Sequence, residues 1–258
     1  MPPRTNLYDH GFYDAQAEGS RRSADVVLPI LFELLRPTSI VDVGCGVGTW
    51  LAAASALGVT DVVGLDGAYA VDAGLRIDRQ SFVVADLARS IPPMERQFDL
   101  AMSLEVAEHL PPARSDGFVA DLCALSDVVL FSAAIPGQLG TDHINLALQH
   151  EWAQRFAAHG FVLFDVIRPR IWHEAAVEWY YRQNALVYVR DTRLDVVARA
   201  DEMMRSGPPL LDAVHPDMLA FWIRRATRPV STSQAVRQVG RSVSRAVRRR
   251  LRRADGAR

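Results

Sequence analysis

The chain contains no lysine: every one of its 29 basic residues is arginine, a pattern that fits the codon usage of a GC-rich coding sequence. Cysteine is almost as scarce, with only Cys45 and Cys123 in 258 residues. Two thiols exclude a disulfide framework and a cluster of metal-binding thiolates, and they fit a reducing cytoplasm. Long apolar runs are also missing. No segment reaches membrane-spanning length, and the opening MPPRTNLYDH lacks the apolar stretch of a secretory signal. No internal repeat is present, which excludes a solenoid or propeller. Nearly half of the residues are apolar, so a large core is available at a length that suits one domain with appendages.

The net charge of −1 hides an asymmetry. Residues 228–258 hold ten arginines and one acid, Asp255, for a charge of +9, while the remaining 227 residues carry −10. In this tail Val236, Val239, Val243, Val247 and Leu251 recur every three or four residues. As a helix the tail sets an apolar stripe against an arginine-rich face, suited to an anionic membrane surface or to nucleic acid. Blocks of like charge also repel and bury little, so in isolation the tail reads as disordered, with a membrane surface preferred to RNA as its partner.

The most informative stretch is residues 39–50, SIVDVGCGVGTW. Ile40, Val41 and Val43 are strand formers; Gly44, Gly46 and Gly48 then allow a sharp turn and close approach to a ligand, and Thr49 to Leu57 reads as the following helix. A strand, a glycine turn and a helix start make a nucleotide-type pocket. The glycines run G-x-G-x-G behind Asp42, not G-x-G-x-x-G as in a dinucleotide fingerprint. Further strands read at 62–66, 81–87, 98–103 and 127–132, and two of them end near acids, Asp66 and Asp86. An ionised carboxylate offers only acceptors, so one at the tip of strand 2 can take both hydroxyls of a ribose.

Acid-x-G-x-G-x-G followed by acids at the next two strand ends resembles the class I S-adenosylmethionine (SAM) dependent methyltransferases, over about residues 20–190. The resemblance implies an α/β fold: a doubly wound, Rossmann-like, seven-stranded sheet with an antiparallel last strand and added terminal helices. By it, Gly44, Cys45 and Gly46 line the methionine end of SAM, Asp66 meets the ribose, and Asp86 with Leu87 meets the adenine. Asp42 orients the turn or meets the SAM amino group. The alternative for Asp66 and Asp86 is that they cap helices.

Along the chain, residues 1–36 read as a helical cap with Pro29 as an objection, 37–190 as the methyltransferase domain, 191–227 as a helical extension and 228–258 as the tail. Gln149 to His159 reads as a helix closed by Gly160, and 161–168 and 185–190 as the last strands.

Ligands in such a sheet lie beyond the carboxyl ends of the strands, so the loops after strands 4 and 5 matter most. After strand 4 comes Glu105-Val106-Ala107-Glu108-His109-Leu110. If Glu105 to His109 is helical, Glu105, Glu108 and His109 share a face and can hold a divalent cation. The E-x-x-E-H pattern is similar to the magnesium site of small-RNA ribose 2′-O-methyltransferases and some quinone-biosynthesis O-methyltransferases, with His143 as a fourth ligand. The same phrase follows strand 4 in class I enzymes that use no metal, where it shapes the floor of the SAM pocket, and this metal-free reading, with Glu105 among the cofactor contacts, is preferred.

His109 and His143 are the candidate general bases, since an imidazole near pKa 6.5 can take a hydroxyl proton at neutral pH. Between the last strands, Arg168 to His173 and Trp179 to Asn184 can form a stacking wall for a flat acceptor or a structural hairpin. Glu18 to Ala24, Phe131 to Gln138 and the Trp179-Tyr180-x-x-x-Asn184 ending look like bacterial methyltransferases that accompany glycosyltransferases of surface-polysaccharide pathways.

The leading expectation is a SAM-dependent enzyme methylating a hydroxyl of a small molecule or glycan, cytoplasmic and peripheral to the inner membrane through the tail. The alternatives are a magnesium-dependent RNA ribose methyltransferase, which the acidic body argues against, and a non-catalytic SAM-binding or scaffold protein.

Overall fold

The computed structural model describes residues 10–204 and 211–227, with side chains from residue 18 onward. The chain divides into two units, residues 1–215 and 216–258. The first opens with a long helix, α1 (His10–Leu34), which leads into alternating strands and helices: β1 (Ser39–Val43), α2 (Thr49–Ala56), β2 (Asp61–Asp66), α3 (Tyr69–Asp72), β3 (Phe82–Val84), β4 (Leu100–Leu104), α4 (Ser115–Leu125), β5 (Val128–Ser132), α5 (Gln149–Ala157), β6 (Phe161–Phe164), α6 (Arg168–Ile171), α7 (Trp179–Asn184), β7 (Leu186–Arg190) and α8 (Leu194–Met203). The second contains α9 (Pro216–Thr227), with Asp217 in its first turn and Arg224 and Arg225 in its last, both favourable to the helix dipole. The arginine-rich tail lies outside the described residues.

The seven strands form one sheet in the order β3-β2-β1-β4-β5-β7-β6. β1 to β5 run parallel, and β7 pairs antiparallel with both β5 and β6. This is the expected doubly wound sheet with an antiparallel last strand. Both faces are covered, so the central strands are buried throughout and read as continuous apolar runs. Alternate residues feed two cores. Ile40, Leu100, Met102, Val128, Leu130 and Val187 point to one, with Val27, Leu28 and Leu31 of α1 and Leu51 of α2. Val41, Val43, Ala101, Val129, Phe131 and Tyr188 point to the other, with Phe118 and Leu122 of α4 and Trp152 and Phe156 of α5. In the second core the rings of Phe156 and Tyr188 stack at 3.9 Å.

Several expected boundaries need correction. α1 runs through Pro29, which is exposed, so the carbonyl left without a donor faces water. β3 stops at Val84 instead of reaching 87, β4 starts at Leu100, and β6 stops at Phe164, after which the chain turns toward α6. Gly160 closes the turn after α5 at φ 77°. No helix among the described residues is long and apolar enough to cross a membrane.

Candidate active site

The glycine turn sits at the carboxyl end of β1. Gly44 adopts φ 86°, and a Cβ on it would fall 2.3 Å from Cγ2 of Val106 in the loop after β4. Glycine is required there twice over, for the left-handed backbone and for the close approach of two loops. Gly44 and Cys45 donate their backbone N–H groups to the Leu65 carbonyl at 2.7 and 3.2 Å, stitching the turn to the end of β2. Gly46, at φ 54°, donates to Oδ2 of Asp66 at 2.7 Å, and the space on its Cβ side is open for at least 4 Å.

Asp66 is the centre of this pole. It is buried, and its carboxylate accepts N–H groups from Gly46 and Gly67 and the hydroxyl of Tyr69. One strand earlier, Asp42 is buried, and its pKa is pushed up to about 8 by burial and then by the Asp66 charge. The Cys45 thiol is held well above its usual pKa by burial and by both acids, so it is no nucleophile. Asp86 lies past the end of β3, beside Asp66, whose register partner is Val84. It is exposed, accepts from the Ala88 N–H at 3.2 Å, and leads into buried Leu87. Asp86 closes a local turn and caps no helix among the described residues, while Asp66 ties the glycine turn in place.

The other pole is built by the loops after β4 and β5. The expected helix from Glu105 to His109 is not formed. Glu105 takes φ 56°, and only Ala107–His109 make a single 3-10 turn. Its backbone N–H reaches both the carbonyl and the hydroxyl oxygen of Ser132, at 3.0 and 3.1 Å. Its carboxylate accepts from the side-chain amides of Gln138 (2.6 Å) and Asn184 (3.0 Å). The network continues inward: Asn184 also donates to Oε1 of Gln138 (2.9 Å), and Gln183 donates to Oδ1 of Asn184 (3.1 Å). Arg168, buried and paired with Asp165, donates to the Gln183 carbonyl at 3.1 Å. Burial raises the Glu105 carboxyl, and its amide and hydroxyl partners oppose that shift.

Glu108 follows, fully buried, with its pKa raised well above the usual range by burial and then by Glu105. Its carbonyl accepts the N–H groups of Ile144 and Asn145 at 2.9 and 3.0 Å, and the Asn145 amide donates to the Ala107 carbonyl and to Ser115. These bonds dock the loop after β5 onto the turn after β4. As a result the rings of His109 and His143 meet edge to face, 4.9 Å between centroids. Burial and the His143 ring together lower the His109 pKa.

The sequence-based residues thus fall into two groups. Asp42, Gly44, Cys45, Gly46 and Asp66 converge on one cradle, flanked by Asp86 and Leu87, and His109 and His143 converge at the loops after β4 and β5. Of the four proposed metal ligands, Glu105 drops out, because both its oxygens are taken by amides. Trp179 to Asn184 is a helix whose inner residues Tyr181, Gln183 and Asn184 are buried, so that half of the expected stacking wall is structural. Tyr69 and the amide network were missed. Tyr69 gives no local signal beyond following Asp66 by three residues, and the network joins positions 33 to 79 residues apart.

The chain belongs to the methyltransferase family: the pattern described as a methyltransferase domain matches residues 13–185, well over half of the sequence. Among solved structures it is similar in fold to the sugar N-methyltransferase KedS8 from Streptoalloteichus sp ATCC 53650 (TM-score 0.53, 16% identity, covering 74% of this chain and 98% of that one). It is likewise similar to an O-methyltransferase family protein from Burkholderia thailandensis (TM-score 0.51, 16% identity, covering 69% of this chain and 58% of that one). Over 138 residues it is 36% identical to the probable tocopherol O-methyltransferase, chloroplastic, of Oryza sativa subsp. japonica, covering 45% of this chain and 37% of the relative. The chain therefore spans little more than a third of that relative's length.

Proposed function

We propose that this protein transfers a methyl group from SAM to a hydroxyl of a small molecule or sugar. The observation that carries the reading is the arrangement of Asp42, Asp66 and Asp86 around an open glycine turn, with two imidazoles on the loops after β4 and β5. The cradle fits the cofactor. The space beside Gly46 is empty, the turn is held by N–H groups, and Oδ2 of Asp66, which accepts only the Gly46 N–H, keeps an acceptor position for a ribose hydroxyl. The relatives named for O-methyl and sugar N-methyl transfer support an oxygen acceptor and a sugar-like class.

SAM, when bound, supplies an already activated methyl group. The chain's share is placement and proton handling. Asp66 meets the ribose, the Gly44–Gly46 turn lines the methionine end, Asp42 orients that turn or meets the amino group, and Asp86 with Leu87 borders the adenine. His143, with Nδ1 3.1 Å from the Gln138 carbonyl, keeps its other ring nitrogen for the acceptor proton, and His109 stands against it. Exposed Leu139 and Ile144 flank His143 and give the acceptor an apolar rim. The scarcity of thiols and the arginine-rich tail support a cytoplasmic enzyme that can rest on the inner-membrane surface.

The test is calorimetric titration with S-adenosylhomocysteine, followed by transfer of labelled methyl from SAM to a sugar panel. Micromolar binding that Asp66→Ala abolishes, together with transfer that His143→Gln slows by about 100-fold or more, is the expected result. No binding by the wild type sinks the assignment.

A further inference from the structure

The methyltransferase-domain match ends at residue 185, yet the amide network beside Glu105 does not. It continues into residues 211–215, which lie between α8 and α9 in the chain. The backbone N–H of His215 donates to Oε1 of Gln183 at 2.9 Å. The amide of the same Gln183 donates to Oε1 of Gln138 at 3.3 Å and to Oδ1 of Asn184. Those two side chains in turn hold the Glu105 carboxylate. Gln183, Gln138, Asn184 and His215 are all buried, so water does not compete for these bonds.

The segment is anchored at three further points. Gln149, at the start of α5, donates to the Ala213 carbonyl at 3.4 Å. Asp212 accepts the His150 backbone N–H at 3.1 Å on one oxygen, and its other oxygen lies 2.7 Å from Nδ1 of the His150 ring. Nε2 of His215 lies 2.8 Å from the Trp172 carbonyl, and the two rings pack at 4.7 Å between centroids. Asp212 makes its contacts from φ 58°, and a non-glycine residue stays in that region only where its surroundings hold it. Among the described residues, three non-glycine residues take such a backbone. Glu105 stands at one end of the network, Asp212 at the other, and Asp142 in the loop after β5.

The sheet brings these anchors to the cleft. β7 runs antiparallel to both β5 and β6, so β5 and β6 point the same way. The segment after β6, with half-buried Trp172, and the residues just before β7, Gln183 and Asn184, therefore emerge at the same edge as the loop after β5.

We infer that residues 211–215 form a strap that fixes the acceptor side of the cleft, with Gln183 as the positioning residue that carries its hold to the loop after β5. With the His215 N–H on its oxygen, the Gln183 amide has one orientation, its NH₂ toward Gln138 and Asn184. Released, that amide can turn over, and the loop after β5 loses one of the bonds that fix it. A displacement of about 1 Å at a bound acceptor is enough to cost about 100-fold in rate. The cofactor cradle at the ends of β1 and β2 is built from bonds of its own. The acceptor role rests on the methyl-transfer reading; the ordering of the loop does not.

The test compares full-length wild type with three variants. Asp212→Gly keeps the left-handed turn and loses the anchor, Asp212→Asn keeps the turn and an acceptor for the His150 N–H, and Gln183→Leu removes the relay. Amide hydrogen exchange, with and without S-adenosylhomocysteine, reads the loop directly. Asp212→Gly and Gln183→Leu should raise exchange across residues 136–145 by about tenfold or more while residues 39–50 exchange as in wild type, and Asp212→Asn should restore protection. With the sugar that wild type methylates fastest, kcat/KM should fall by about tenfold or more in the same two variants, chiefly through the acceptor KM. Affinity for S-adenosylhomocysteine, by calorimetry, should change by less than about threefold, since Asn184 and Gln138 still donate to Glu105. If Gln183→Leu does not fold, the two Asp212 variants decide. Unchanged exchange at 136–145 overturns the proposal, as does an equal rise over 39–50, which reports lost stability alone. An unchanged kcat/KM on a methylated sugar overturns it as well. Failure of wild type to methylate any sugar sinks the methyl-transfer reading instead, and the exchange result then decides the strap.

Discussion

The two poles of the cleft are made in different ways. The glycine-turn pole is made of backbone: Gly44, Cys45 and Gly46 donate N–H groups to Leu65 and Asp66, all within about one βαβ unit. The pole after β4 and β5 is made of side chains. Glu105, Gln138 and the Gln183–Asn184 pair come from segments far apart in sequence, and they are linked by hydrogen bonds from side-chain amides. A backbone-built pocket needs a few residue types at fixed spacing, and many neighbours can change around it. A network-built pocket needs particular side chains at positions that only the packed chain brings together. On the proposed reading the first pole holds the cofactor that the family shares, and the second shapes the acceptor side.

The comparison can be broken first at Asp42. Its carboxyl has a folded pKa near 8, above its unfolded value, so the native state holds a proton that the unfolded chain has released. Stability should fall as pH rises from about 4 to 8 and level off above, by up to roughly 5 kcal/mol. Asp42→Asn should flatten that slope in denaturant titrations run across the same range. A wild-type profile that is flat between pH 5 and 8 would show that Asp42 is ionised in the fold.

Removing the anchor of the backbone pole comes next. Asp66→Ala leaves the Gly46 and Gly67 N–H groups without their acceptor and should weaken S-adenosylhomocysteine by at least about 100-fold, close to 3 kcal/mol. Calorimetry that finds less than a tenfold loss would move the ribose contact elsewhere. Gly44→Ala should cost about 2 kcal/mol, read as a fall in thermal midpoint, because the added Cβ meets Val106 and the residue must keep φ 86°. Val106→Ala should recover part of that loss by removing the clash while leaving the backbone strain.

The side-chain pole should respond more mildly and cooperatively. Asn184→Ala strips one donor from Glu105 and should cost about 1–2 kcal/mol. A double-mutant cycle with Glu105→Gln should give a coupling of about 0.5–2 kcal/mol. Strict additivity would show that the two side chains do not support each other. Because Asn184 acts through Glu105, its loss should alter KM for the cofactor more than the step that His143 serves.

What was readable from the residues follows the same division. The strand–turn–helix at 39–57 and the acids at 66 and 86 could be placed because each signal is local: strand formers, then glycines, then an acid. His109 and His143 could be named but not joined. Their meeting depends on Ile144 and Asn145 docking on the Glu108 carbonyl, a contact across more than thirty residues. Glu105 was placed on a helix because its spacing to Glu108 and His109 matches one. Tertiary partners override that preference, since Ser132 and two amides hold it in the left-handed region at a cost of about 1 kcal/mol.

The sequence by itself determined the strand segments and the glycine turn, because runs of strand formers and backbone freedom act between near neighbours. Only the tertiary structure decided which side chains share a site. Pairing Glu105 with Asn184, leaving Glu108 buried without a partner and setting His143 against His109 all depend on which strand ends lie side by side, and strand order is a property of the folded sheet.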